Sequence, residues 1–210
     1  MALRMIRGGG ETTPRRGDVT STRRLFFAFD LPEPIRDEVV RLVESFALPP
    51  AEVRPVKGEN LHITLKFLGD NPPERIDDLV AAAHRAVAEV SPFSLSIEGI
   101  GLFPNHDKPR VLWLGVLGDL GKAQGLEQAL SNELLPLGVV PDERSYAPHL
   151  TVGRVVTDRV RGRLARLVRE KKGVGAGIMP VTGITLYESA LHPDGSVYRP
   201  LAAIPLGGKK

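Results

Sequence analysis

Two short stretches of the chain place a histidine two residues before a threonine within an apolar run. They are LHITLKFLG (61–69) and PHLTVGR (148–154). Alternate side chains of a β-strand share a face, so His62 points with Thr64, and His149 points with Thr151. One such histidine on its own is typical of a buried residue that a neighbour satisfies. Its repetition predicts two imidazoles and two hydroxyls that face a shared cleft.

Such a set of groups suits in-line displacement at phosphorus. The reaction needs a base for the attacking group and an acid for the leaving oxygen, and histidine, with a reference pKa of about 6.5, holds either state near neutrality. Threonine hydroxyls can donate to the non-bridging phosphate oxygens, where transition-state charge is held. A strained cyclic phosphodiester is reactive enough to need no metal. The residues alone do not tell which histidine is the acid and which the base.

Three other chemistries fit the sequence less well. Zinc sites take three or four protein ligands, and neither motif resembles H-E-x-x-H or a Cys/His framework. A serine triad lacks its G-x-S-x-G elbow. The segment GVGAG at 173–177 is glycine-rich but lacks the Lys-Ser/Thr of a phosphate loop, so we interpret it as a flexible connection. We therefore expect no metal and no other cofactor.

The elements that must position the two motifs follow a regular order. Up to about residue 118 the apolar spacing predicts strand, helix, strand, helix, strand, strand. The remainder resembles this in outline, with a helix within 119–137, a strand around the second motif, a basic helix at 158–170 and two further strands. Two halves with one H-x-T strand each predict an α+β, bilobal fold with a sheet in each lobe and helices packed outside.

Composition and charge restrict the classes of protein that are possible. The chain has 42% hydrophobic and 25% charged residues and no cysteine, which fits a packed protein of the reducing cytoplasm. No apolar run approaches the ~20 residues of a membrane span. Residues 1–22 combine Gly, Pro, Ser, Thr and Arg without an apolar period, and we expect a disordered basic extension there, followed by a single domain over 23–210. The basic residues are patchy, as they would be in a protein that guides one phosphorylated ligand.

Five segments together resemble one family. They are RLFFAFDLPEPIRDEV, ENLHITLKFLGD, PRVLWLGV, PHLTVGR and LYES. In this order they are similar to the RNA 2′,3′-cyclic phosphodiesterases of the two-histidine (2H) phosphoesterase superfamily, also labelled 2′-5′ RNA ligases. The likeness covers nearly all of residues 23–206. It implies a bilobal fold whose two antiparallel-type sheets face a central groove, and metal-free hydrolysis of a terminal RNA 2′,3′-cyclic phosphate to a 2′-phosphate.

The resemblance also implies roles for individual residues. His62 would give a proton to the departing 3′ oxygen, His149 would be the base for water, and Thr64 and Thr151 would bind the phosphate. Arg154 matches a basic residue of the family and would contact substrate. Its position along the strand has the opposite parity to that of His149, so a bulge or the end of the strand is needed to bring both to one face.

Two other functions stay open at this point. A ligase could join a 2′,3′-cyclic end to a 5′-hydroxyl through the same groups, although water at high concentration favours hydrolysis. A non-catalytic RNA-binding module would be expected to lack one of the two histidines, and both are present. The expected partners are RNA ends or oligonucleotides with a 2′,3′-cyclic phosphate, and we expect a monomer without membrane contact. The other histidines, His84, His106 and His192, are interpreted as structural or exposed.

Overall fold

The computed structural model describes residues 22–141, 144–192 and 195–208. The predicted basic extension therefore lies outside the described residues except for Thr22. Within these ranges nine strands and four α-helices form. The strands are Arg23–Asp30 (β1), Val53–Pro55 (β2), His62–Asn71 (β3), Phe93–Phe103 (β4), Val111–Gly118 (β5), His149–Val155 (β6), Gly175–Val181 (β7), Gly183–His192 (β8) and Gly195–Pro205 (β9). The helices are Glu33–Ser45 (α1), Ile76–Val87 (α2), Leu120–Leu134 (α3) and Arg161–Glu170 (α4).

The strands pair antiparallel in the order β7-β4-β5-β6-β3-β1-β8-β9, with β2 added beside β6. One half of this order holds the first H-x-T strand, β3, and the other half holds the second, β6. The two halves meet at a single residue pair, Ile63 opposite Leu150. The α+β, antiparallel architecture is therefore confirmed, and the two predicted sheets are continuous through this one pair.

The helices pack on one face of the sheet and enclose the core. In β1 the residues Leu25, Phe27 and Phe29 alternate along this face and are fully buried. The helices bury apolar residues at helical spacing, such as Leu126 and Leu130 of α3. Helix α1 packs against β7 and α2 packs against α3, so helices of the first half cover elements of the second half. The opposite face of the sheet is left for the groove.

The segment GVGAG is not a flexible connection, because β7 begins within it. Gly175 and Gly177 pair with residues of β4. Gly177 adopts φ +103°, which only glycine takes up readily, and a Cβ there would lie 3.1 Å from Ile35 of α1. The glycines therefore allow β7 to pass close to helix α1. The sequence did not reveal this strand, because glycine has no side chain and so gives no apolar pattern. Among the described residues no helix combines the length and apolar character needed to cross a bilayer.

Candidate active site

All four residues of the H-x-T motifs line one groove, which has a cavity of about 300 Å³. Ile63 and Leu150 are directly opposite, and extension of that antiparallel register by one residue in each direction sets His62 across from Thr151 and His149 across from Thr64. The two pairs are thus related by an approximate twofold axis between the strands. A phosphate on that axis would have one imidazole on each side.

His62 is held by its own backbone neighbourhood. Its Nδ1 lies 2.8 Å from the carbonyl oxygen of Asn60, in the short 3-10 helix that precedes β3. A carbonyl only accepts, so Nδ1 carries the proton and donates, and Nε2 is the nitrogen left for chemistry in the neutral ring. Nε2 lies 3.1 Å from the Thr64 hydroxyl, which connects the two groups of the motif.

His149 is held in the same way. Its Nδ1 donates to the carbonyl oxygen of Ala147 at 3.0 Å, and this carbonyl is again two residues before the histidine. Both rings therefore have the same tautomer, because the same backbone contact selects it. Both histidines can take up or release a proton at Nε2.

Aromatic rings surround His62 and lower its pKa. The ring centroids of Phe26, Tyr198 and Tyr187 lie 4.8, 5.0 and 6.5 Å from that of His62. Burial beneath these rings disfavours the charged imidazolium and lowers the pKa of His62 below its ordinary value. The hydrogen bond to Asn60 and the charge of Asp30 partly offset this effect.

The surroundings of His149 are more open. Phe103, at the end of β4, makes a perpendicular contact with its ring at a centroid distance of 4.9 Å. On the neighbouring strand β5 the residue opposite His149 is Gly115, where a Cβ would come within 2.3 Å of the Glu98 carbonyl. On the same strand Trp113 lies opposite Thr151 and contacts Phe103 at a centroid distance of 5.0 Å, whereas Asp30 and Ala28 hold the matching positions opposite His62 and Thr64 in the first half.

A β-bulge follows the threonine of each motif. In β3 the register with β1 skips Leu65, and in β6 the register with β5 skips Val152. Each bulge reverses the alternation of side chains, so the fifth residue after the histidine turns to the groove. That residue is Phe67 in the first half and Arg154 in the second, and both line the cavity. The parity problem of Arg154 is resolved by this bulge.

The first bulge also sends a charged residue into the core. Lys66 is only 2% exposed, and its Nζ donates to Glu127 Oε1 of α3 at 3.1 Å. The hydroxyl of Ser131 donates to the same carboxylate oxygen at 2.8 Å. Lys66 therefore connects β3 to α3 on the core side of the sheet. Phe67, the next residue, is 65% exposed and faces the groove.

Comparison with known proteins agrees with this geometry. Residues 29–113 match the sequence model of the family described as LigT-like phosphoesterase. The RNA 2′,3′-cyclic phosphodiesterase of Methanothermobacter thermautotrophicus is 40% identical over 175 residues, which cover 83% of this chain and 94% of that protein. That of Thermus thermophilus is 34% identical and covers 89% of this chain and 91% of its own. The chain belongs to the LigT-like phosphoesterase family.

Two solved structures have the same fold as this chain. The crystal structure of TT0787 of Thermus thermophilus aligns with a TM-score of 0.72 at 31% identity and covers 89% of this chain and 100% of its own. The structure of Escherichia coli LigT complexed with 3′-AMP also gives a TM-score of 0.72, at 29% identity, with 88% and 98% covered. Both alignments cover nearly all of the solved chains, so this chain has the fold of those two structures.

Sequence reasoning missed several groove residues of this LigT-like phosphoesterase. Phe67, Arg54, Lys57 and Tyr198 line the cavity and were not predicted there. The residue parity of Phe67 was a usable signal once a bulge was allowed, but Arg54 and Tyr198 reach the groove only through strand pairing. His192 is exposed, as interpreted, and also borders the groove. Among the described residues no group of three or more His, Asp or Glu could hold a metal ion.

Proposed function

We propose that the chain hydrolyses terminal RNA 2′,3′-cyclic phosphates to 2′-phosphates by metal-free acid/base catalysis with its two H-x-T motifs. One observation carries the proposal: two imidazoles with the same tautomer lie on opposite sides of one groove, each with a threonine of the opposing strand across from it. In-line displacement needs proton transfer on opposite sides of the phosphorus. The names of the matched relatives support RNA 2′,3′-cyclic phosphate as the substrate class.

The reaction follows from the two sides of the groove. His149 Nε2 takes a proton from a water molecule as its oxygen bonds to phosphorus. The bond between phosphorus and the 3′ oxygen breaks, and His62 Nε2 gives its proton to that oxygen. The product carries a 2′-phosphate and a 3′-hydroxyl, and one water molecule is consumed. After product release a proton returns from His149 to His62 through solvent, which restores the starting state.

The direction of proton transfer rests on the family likeness, and it requires the bound substrate to overcome the effect of burial on His62. Burial by itself favours neutral His62 because it lowers the pKa of the ring. An anionic cyclic phosphate beside the ring favours the imidazolium, since an opposite charge at short range stabilises the charged form. His62 therefore becomes an acid when the substrate is in place. Thr64 and Thr151 donate hydroxyl hydrogen bonds to the non-bridging oxygens, where they stabilise the transition state.

Phe67 and Arg154 would bind the terminal nucleoside. They occupy the same position after the bulge on their strands, and both face the groove. An exposed aromatic ring offers a stacking surface for a nucleobase, and guanidinium planes also stack on bases or bind phosphate. This arrangement gives the groove an apolar contact on one side and a positive charge on the other.

Product identification tests the proposal directly. A short RNA with a 2′,3′-cyclic phosphate end is incubated with the protein, and the product is separated from 2′- and 3′-phosphate standards. We expect the 2′-phosphate, with the activity lost in His149→Ala and kept in His84→Ala, a matched substitution of an exposed histidine on α2. A 3′-phosphate product would contradict the proposed orientation of the substrate, and an unchanged cyclic end would contradict the function.

A further inference from the structure

Two arginines lie directly opposite each other at one side of the groove. Arg54 of β2 pairs with Arg154 of β6, so their side chains share a face, and both are exposed and line the cavity. Like charges in directly opposite positions of a sheet destabilise it. A bound anion would relieve this repulsion.

Neither arginine is neutralised by a carboxylate within the described part of the chain, which holds ion pairs for many of its other exposed arginines. Arg110 pairs with Asp158 at 2.9 Å, and Arg163 pairs with Glu52 at 2.8 Å. Lys57, three residues after Arg54, also lines the cavity and has no acidic partner among the described residues. Three cations therefore face the groove with no acidic partner that the described residues provide.

The short strand β2 places Arg54 beside Arg154. β2 contains three residues and, among the described strands, pairs with β6 alone. Its ladder continues in the hydrogen bonds from Val56 N to Val152 O and from Val156 N to Glu52 O. At Gly153, opposite Pro55 in this ladder, a Cβ would lie 2.8 Å from Val53, so glycine lets β2 approach closely. The chain thus brings Arg54 to the groove beside Arg154.

The three cations extend along the groove from the catalytic centre, because the charge of Arg154 acts on His62, and Arg54 and Lys57 line the cavity beside it. Arg154 is five residues beyond His149, which at ~3.3 Å per residue separates the two Cα atoms by up to about 16 Å. An RNA end that places its terminal phosphate between the histidines must continue along the groove with its next phosphate.

We propose that Arg54 and Lys57, beside Arg154, form a second phosphate subsite that binds the internucleotide phosphate upstream of the terminal nucleotide. The inference rests on the proposed function and extends it, because it names the substrate class: RNA oligonucleotides are used in preference to 2′,3′-cyclic mononucleotides. The subsite recognises phosphate charge and carries no base specificity.

Three substrates test the subsite. They are adenosine 2′,3′-cyclic phosphate, the dinucleotide ApA with a 2′,3′-cyclic phosphate end, and the same dinucleotide with a neutral methylphosphonate linkage. We expect kcat/KM to be about tenfold higher for the charged than for the neutral dinucleotide, as for one charge-assisted hydrogen bond. In Arg54→Gln and in Lys57→Gln that ratio should fall towards one. Arg161→Gln, an exposed arginine of α4, is the matched control and should keep the ratio.

A binding measurement separates failure of the subsite from failure of the proposed function. Calorimetry with the charged and neutral dinucleotides ending in a 2′-phosphate needs no turnover. Loss of one phosphate contact should lower the slope of log Kobs against log[salt] by about 0.7 in Arg54→Gln. If wild type turns over none of the three substrates but still prefers the charged dinucleotide, the function is wrong and the subsite stands. Equal binding of the two dinucleotides by wild type, or a preference that survives in both variants, would overturn the subsite.

Discussion

The two H-x-T strands use one backbone plan in two different surroundings. In both, a carbonyl two residues before the histidine accepts from Nδ1, and a bulge after the threonine turns the fifth residue to the groove. In the first half, three aromatic rings surround His62. In the second half, Phe103 contacts His149, and the residue opposite His149 is Gly115. The backbone thus gives both histidines the same orientation, and the neighbouring side chains make their surroundings different.

This difference sets a condition on the proposed acid/base pair. Burial lowers the pKa of His62 in the free protein, so His62 can act as the acid only when the anionic phosphate is bound beside it. The bulges are stabilised differently as well. Behind the first lies the buried pair of Lys66 and Glu127, and at the second Gly153 allows close approach of β2. The shared plan therefore does not depend on shared sequence.

The largest expected effect comes from removal of either histidine. If both halves are needed for one reaction, His62→Ala and His149→Ala should each lower kcat about 10²- to 10⁴-fold, the usual contribution of a general acid or base. Steady-state turnover of a 2′,3′-cyclic RNA end measures this, with circular dichroism to verify folding. Retention of more than about a tenth of the activity in either variant would show that one half suffices.

The next effect separates the residues at the fifth position after each histidine. Arg154→Gln removes a charge-assisted contact, which is typically about 1.5–3 kcal/mol, so kcat/KM should fall about 10- to 100-fold. Arg161→Gln serves as the control for the loss of a positive charge. An effect of Arg154→Gln no larger than that of the control would show that Arg154 is a surface residue that does not contact the substrate.

Phe67→Ala should have a smaller effect that depends on the nucleobase. Stacking is worth about 1–3 kcal/mol per base, so the loss should be seen with a natural RNA end and should vanish with an end that lacks its terminal base. Ile178→Ala, 70% exposed on β7, is a matched removal of an exposed apolar side chain. Equal losses on both substrates would mean that Phe67 supports the sheet and does not bind the base.

The sequence predicted that the four motif residues would lie together, because this placement depends on local spacing. The i, i+2 spacing alone put each histidine with its threonine, and the repetition of the pair pointed to a shared groove. It could not predict Arg54, because that residue reaches Arg154 only through pairing of segments 100 residues apart. The family likeness called for a bulge or a strand end before Arg154. The first motif gave no such reason, so Lys66 and Phe67 were not assigned to their faces.

The fold shows the same limit. The strands and helices with clear apolar periods were predicted, whereas β2, with three residues, and β7, with its glycines and Pro180, have too little pattern to be recognised. Both are edge or added strands whose partners are distant in the sequence. The sequence therefore predicted the strands and helices that have an amphipathic pattern of their own. β2 and β7 were recognised only in the structure, from their pairing with other strands.

Opening the surroundings of His62 should shift the pH profile and not abolish it. Burial is the main cause of the lowered pKa, so Tyr198→Ala, which removes one ring, should raise the pKa of His62. The limb of the kcat/KM profile that His62 sets should move to higher pH, and NMR titration of the imidazole should move in the same direction. Tyr198→Phe keeps the ring and should leave both unchanged. A shift to lower pH would show that charges, not burial, control this histidine.

Chelation should have no effect, and this outcome tests whether both histidines are needed as proton-transfer groups. A metal hydrolase uses a metal-bound water as its nucleophile and usually holds the metal with three protein ligands. The groove instead offers one imidazole and one hydroxyl from each half, and both imidazoles direct Nδ1 to a carbonyl. We therefore expect full turnover after exhaustive EDTA treatment and a bell-shaped pH profile with one limb from each histidine. Inactivation by EDTA that zinc or manganese reverses would contradict the two-histidine mechanism. A metal-bound water would then be the nucleophile, and the proton transfer assigned to the two histidines would not explain the activity.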